Sequence, residues 1–102
     1  MHLIQLLIPL HDNHKQPFPT AHFNTVREEL TQRFGGVTAF VRSPAVGIWK
    51  EPADTMNRDD VVMFEVLTEE LDTAWWSTYR NHLEERFRQE EMLVWASTIT
   101  KL

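Results

Sequence analysis

Four side chains with chemical potential recur along one edge of an apolar stripe: Trp75, Tyr79, His82 and Arg86, at i, i+4, i+7 and i+11, with Trp76, Leu83 and Phe87 on the other edge. Aromatic rings beside an imidazole and a guanidinium suit a flat or acidic organic ligand, with Arg86 holding a carboxylate or oxyanion and His82 moving a proton. The competing reading makes Trp75 and Tyr79 core, with His82 and Arg86 at its boundary with solvent. Arg27 lies about 40° from Phe23 around a helix axis, inside an apolar stripe and away from the acidic side with Glu28. An arginine aimed at a sheet needs a carboxylate or a ligand, and Glu65, alone on a mostly apolar strand face, is the obvious acid. If strand alternation sends Glu65 to the opposite sheet face, it looks across to Gln5 or Arg42 instead. Glu65 and His82 are thus the candidate acids and bases, and Arg27, Arg42 and Arg86 the candidate anion holders. For Arg27 and Glu65 the structural alternative is an ion pair.

Other constellations fail. The segment "HDNH" offers His11, Asp12 and His14, which are metal-ligand types, but no matching cluster is evident and no metal is expected. His11 is kept as a ligand contact because it follows a central strand. Ser43, His11 and Asp60 make a triad only on paper, for no "GxSxG" elbow exists. "FGGVT" lacks the lysine of a phosphate loop and leads into a strand. A terminal-proline tautomerase is excluded because residue 2 is histidine. No cofactor is expected.

The chain has 102 residues, one domain near the lower end of what folds alone, so a partner surface would help. Fifteen acidic residues against ten scattered basic ones give a net charge of −5, which argues against nucleic acid. With no cysteine, disulfides, zinc fingers and thiol nucleophiles are unavailable, and a cytoplasmic setting is expected. "MHLIQLLIPL" lacks a basic n-region and a cleavage site, and it falls far short of the roughly 20 residues of a membrane span. It reads as a buried strand.

The elements that must position these residues follow from periodicity. Residues 3–10 are apolar on both alternating faces, as in a strand covered twice. Thr20 is placed to cap a helix to about Phe34, carrying Phe23, Val26, Leu30 and Phe34 in one stripe and ended by Gly35 and Gly36. "VTAFVR" is a second strand and "VVMFEVL" a third. Asp72 or Thr73 starts a second helix running to about Glu90, and "MLVWASTI" closes as a fourth strand. The order is β-α-β-β-α-β, an α+β ferredoxin-like arrangement whose antiparallel sheet carries both helices on one face. Its other face then needs a cover, and a homodimer is the economical one. Between the second and third strands lie about 17 residues, long for a hairpin. There Ile48 and Trp49 are expected to anchor an intersubunit arm or a lid over the pocket.

On "PFPTAHFNTVREELTQRFGGVTAFVRSPAVGIW" and "WWSTYRNHLEERFRQEE", together with this element order, the chain resembles small bacterial members of the dimeric α/β-barrel superfamily whose function is unassigned. The resemblance implies sheets packed face to face and a small-molecule pocket between sheet and helices. It also implies activity of the cofactorless monooxygenase or isomerase type. It departs from the haem-degrading members, since no Asn, Trp and His set matches. The rival reading is a non-catalytic ligand-binding or protein-interaction module.

Overall fold

The computed structural model of the chain describes residues 1–42 and 61–102, Arg42 by its backbone alone. The elements are β1 (His2–Pro9), α1 (Thr20–Phe34), β2 (Thr38–Arg42), β3 (Val61–Thr68), α2 (Thr73–Arg86) and β4 (Leu93–Thr98). The strands form one sheet in the order β2-β3-β1-β4, with every neighbouring pair antiparallel. This is the ferredoxin-like fold.

Alternation divides the sheet into two faces. Ile4, Leu6 and Ile8 of β1 stand opposite Val66, Phe64 and Val62 of β3, and all six are buried. They meet Val26 and Leu30 of α1, Trp76, Tyr79 and Leu83 of α2, and Phe87 and Phe18 beside them, in one core. The opposite face carries Leu3, Gln5, Leu7 and Pro9 of β1 and Val61, Met63, Glu65 and Leu67 of β3. Thr38 and Phe40 come from β2, and Leu93, Trp95 and Ser97 from β4. No helix covers that face among the described residues.

Helix boundaries differ from expectation in ways local chemistry explains. Pro19, not Thr20, occupies the N-cap of α1, with φ −58° and ψ 140° and no side-chain cap. The fixed proline φ suits this half-extended entry, and Thr20 becomes the first helical residue. Asp72 caps α2 by accepting from the Trp75 backbone N–H at 3.0 Å, as expected of it. Here α2 stops at Arg86, short of Glu90, because Phe87 leaves the helical path and Arg88 takes φ +50°. Glu84 ties the following turn to β4 by accepting from the Met92 backbone N–H at 3.1 Å.

Gly35 ends α1 in the left-handed conformation at φ +87°, donating its N–H to the Thr31 carbonyl at 2.7 Å. A Cβ at Gly35 or Gly36 meets nothing within 4 Å, so a substitution cost at Gly35 comes from backbone strain alone. Gly35→Ala is therefore expected to lower the unfolding free energy by about 1–2 kcal/mol. Gly36→Ala should be neutral or stabilise by about 0.5 kcal/mol. Chemical denaturation of both variants checks the contrast.

Candidate functional site

At about 100° per residue, the buried face of α2 centres between Trp76 and Leu83, which leaves two shoulders. One shoulder, with Trp75, Tyr79 and Arg86, meets α1. Trp75 stacks on Tyr79 at 4.9 Å and on its other side lies under the Arg33 guanidinium at 4.7 Å. Phe34 stacks on Trp76 at 5.2 Å. Beyond this seam Glu29 of α1 accepts from Tyr79 Oη at 2.8 Å and, bidentately, from Arg86 Nη1 and Nη2 at 2.9 and 3.0 Å. Burial opposes charge on Glu29, but the Arg86 and Tyr79 hydrogen bonds outweigh it and hold the carboxyl below its ordinary value. Burial, reinforced by the bond to Glu29, pushes the Tyr79 phenol up. The Glu29 hydrogen bonds raise Arg86 against its own partial burial. Three groups thus satisfy one another over a filled core, and Arg86 is committed to Glu29 rather than waiting for a ligand.

The other shoulder of α2, with Thr73, Ser77 and Arg80, faces β4, whose helix-side residues Val94 and Ala96 are incompletely covered. Here a cleft of about 210 Å³ opens, lined by those three polar residues, Trp76, Leu71, Ile4, Val94, Trp95 and Ala96. Trp76 is 6% exposed, and its indole N–H, itself buried, has no hydrogen-bond acceptor among the described residues. Leaving such a donor unmade costs about 1–3 kcal/mol. Among the described residues Arg80 approaches only Glu84, at 3.8 Å through Nε, and its two terminal amino groups have no partner there.

A third arrangement crosses the helix-free face. Thr38, Glu65, Gln5 and Trp95 stand in register across all four strands. Trp95 Nε1 donates to Gln5 Oε1 at 2.8 Å, and Gln5 Nε2 donates to Glu65 Oε2 at 2.8 Å. Glu65 and Thr38 also line a concavity of about 480 Å³, walled by Leu3, Leu67, Phe34 and Val37 and rimmed by Gly35 and Gly36.

The expected site residues are therefore dispersed. Tyr79 and Arg86 are brought together, but through Glu29, which periodicity alone did not single out. His82 is exposed on the outer side of α2, roughly 100° from the centre of its buried face, and lines neither cavity described above. The expected alignment of Arg27 with the sheet is corrected. It is exposed and donates to Asn24 Oδ1 at 2.9 Å. The face of α1 centres on Val26 and Leu30 rather than on Phe23, which puts Arg27 on a shoulder and Glu29 on the opposite one. Glu65 accordingly pairs with Gln5, the second of the two alternatives. His11 is half-buried and bridges Pro17 in a turn that Asp12 holds by accepting from the His14 and Gln16 backbone N–H groups. Among the described residues no group of three acidic or histidine side chains could hold a metal ion, and no helix is long and apolar enough to cross a membrane. The side chain of Arg42, and Ile48 and Trp49 entirely, lie outside the described residues.

No protein-family model matches the chain, and no curated protein does. Among solved structures it is similar to a phage SAM lyase in complex with S-methyl-5'-thioadenosine. Identity is 15%, over 94% of this chain and 79% of that one, with a TM-score of 0.62. At that identity the likeness establishes the shared fold.

The Glu29 cluster has a pH signature. A carboxyl held low in the folded state contributes stability that is complete above its ordinary value of 4.5 and is lost as pH falls through the lowered value. Glu29→Gln should cost about 1 kcal/mol at pH 7, since the pair is partly solvated. It should also flatten the acid limb of the stability curve below the ordinary carboxylate range. Urea titrations of both proteins across pH 3–7 measure this.

Proposed function

We propose that the protein binds a small organic acid in the cleft between α2 and β4. The observation that carries this reading is the buried indole N–H of Trp76, without an acceptor among the described residues, on a ring that lines the cleft together with Arg80, Thr73 and Ser77. Buried donors are almost always paired, and an acceptor-rich ligand pairs this one. The first turn of α2 adds a dipole that favours negative charge. Ile4, Leu71, Val94 and Ala96 supply an apolar floor for the rest of the molecule. The volume lies below the ~300–1,000 Å³ usual for drug-sized ligands, which restricts the occupant to a single ring or a short chain. A protein of the same fold, the phage SAM lyase, holds a small molecule, which supports the scaffold's capacity for one.

The geometry favours binding over catalysis. Monooxygenase or isomerase chemistry needs a group that moves a proton, yet among the described residues Arg80 is the one ionisable side chain lining the cleft. His82 and Glu65 lie elsewhere. The non-catalytic reading is therefore preferred, with a cytoplasmic setting supported by the cysteine-free sequence.

We further propose that the helix-free sheet face pairs with a second copy. Phe40, Leu67, Leu93 and Trp95 share that face and are 42, 55, 52 and 39% exposed. Large apolar side chains left open together on one face mark an association site.

Benzoate is a suitable probe of the cleft. It should move the Trp76 indole N–H resonance in ¹H–¹⁵N spectra, and Arg80→Gln should weaken it about tenfold, the worth of one charged hydrogen bond. Ser77→Leu, which fills the cleft, should abolish the shift. An unmoved Trp76 resonance, or equal binding by Arg80→Gln, overturns the reading. For the pairing, wild type should sediment at twice 12.1 kDa at micromolar concentration and Leu93→Arg at 12.1 kDa. A wild-type species of single mass overturns it.

A further inference from the structure

We propose that Glu65 anchors a second small-molecule site, on the sheet face opposite the α2–β4 cleft, that takes an organic cation: an ammonium group on a compact apolar body. Glu65 is half-buried on a face that is otherwise mostly apolar, where a charge without a partner is unfavourable. Its neighbours orient it without neutralising it. An indole offers only a donor, so Trp95 fixes the Gln5 amide with its oxygen toward the ring and its NH2 toward the carboxylate. Gln5 thereby satisfies Oε2 with a neutral group. Among the described residues Oε1 accepts no hydrogen bond and no basic side chain pairs with Glu65.

Glu29 shows what this chain does with a carboxylate meant to be closed. That group receives a bidentate arginine and a phenol. Glu65 receives one neutral amide and borders a concavity of about 480 Å³. Leu3, Leu67, Phe34 and Val37 form its apolar walls, and Thr38, next to Glu65 in the row, adds a hydroxyl. A held carboxylate at the edge of an apolar recess matches an ammonium group joined to a small hydrocarbon body. Pairing with a second copy would enclose the recess and make a bound cation still more favourable, but the site stands without it.

Benzylamine tests the assignment, with benzoate as its counterpart of opposite charge, each titrated to millimolar concentration into the intact protein and followed in ¹H–¹⁵N spectra. Benzylamine should move the Gly35, Gly36 and Thr38 amides, and benzoate should not. Glu65→Gln keeps the size and one acceptor of the side chain and should weaken benzylamine about tenfold. Its dispersed Trp95 resonance would confirm that the sheet is intact. Gln5→Met keeps the charge but removes its positioning, and a smaller loss of about threefold is expected. Benzylamine that moves none of these resonances, binds Glu65→Gln equally, or is matched there by benzoate overturns the proposal. The readouts are separate from those of the cleft, where benzoate and the Trp76 resonance report. Either site can fail alone.

Discussion

Ile4, Leu6 and Ile8, pressed from one side by Val26, Leu30 and Leu83, set the terms for the whole molecule. Two helices shelter one face of a four-stranded sheet, and this chain makes both faces apolar. The centre of the sheltered side is dense: Leu30, Leu83 and Phe87 are fully buried, and aromatic rings fill the seam between the helices. On the unsheltered side Met63 is buried, yet Phe40, Leu67, Leu93 and Trp95 remain substantially open. The asymmetry of coverage, not the composition of the strands, makes one face a core and leaves the other open.

The element order, the left-handed stop at Gly35 and the two-sided strands were legible from period-two and period-3.6 patterns, because these arise from local geometry. Side-chain roles were less so. Arg27 shows why: a helical wheel gives relative angles, but the rotation of α1 against the sheet is decided by Val26 and Leu30 packing deepest. A turn of a few tens of degrees moved Arg27 to solvent and Glu29 into the seam. The same rotation problem on α2 concealed Arg80 and Ser77, which sit on the shoulder away from the aromatic edge that attracted attention. Gln5 was visible as a break in an apolar strand. Its link to Trp95 required the register of β4 against β1, which no local pattern in β4 specifies.

The two half-buried carboxylates illustrate how environment assigns roles to identical groups. Glu29 meets Arg86 at both oxygens and Tyr79 at one, so its charge is spent inside the protein and its effect is structural. Glu65 meets an amide that carries no charge, held in turn by a donor-only indole. A network of that kind costs desolvation without supplying a counter-charge. It contributes less to stability than a cationic partner in the place of Gln5 would. What it supplies is a fixed carboxylate orientation, which has value only when something arrives to meet it.

Trp95 joins the two regions. It belongs to the edge strand β4, its N–H points into the polar row of the helix-free face, and it also lines the cleft on the α2 side. An edge strand has a neighbour on one flank only, so a large ring there can reach around the rim of the sheet, which a ring on the central β1 or β3 could not. The hydrogen-bonded row of the helix-free face and one wall of the cleft thus share a single side chain.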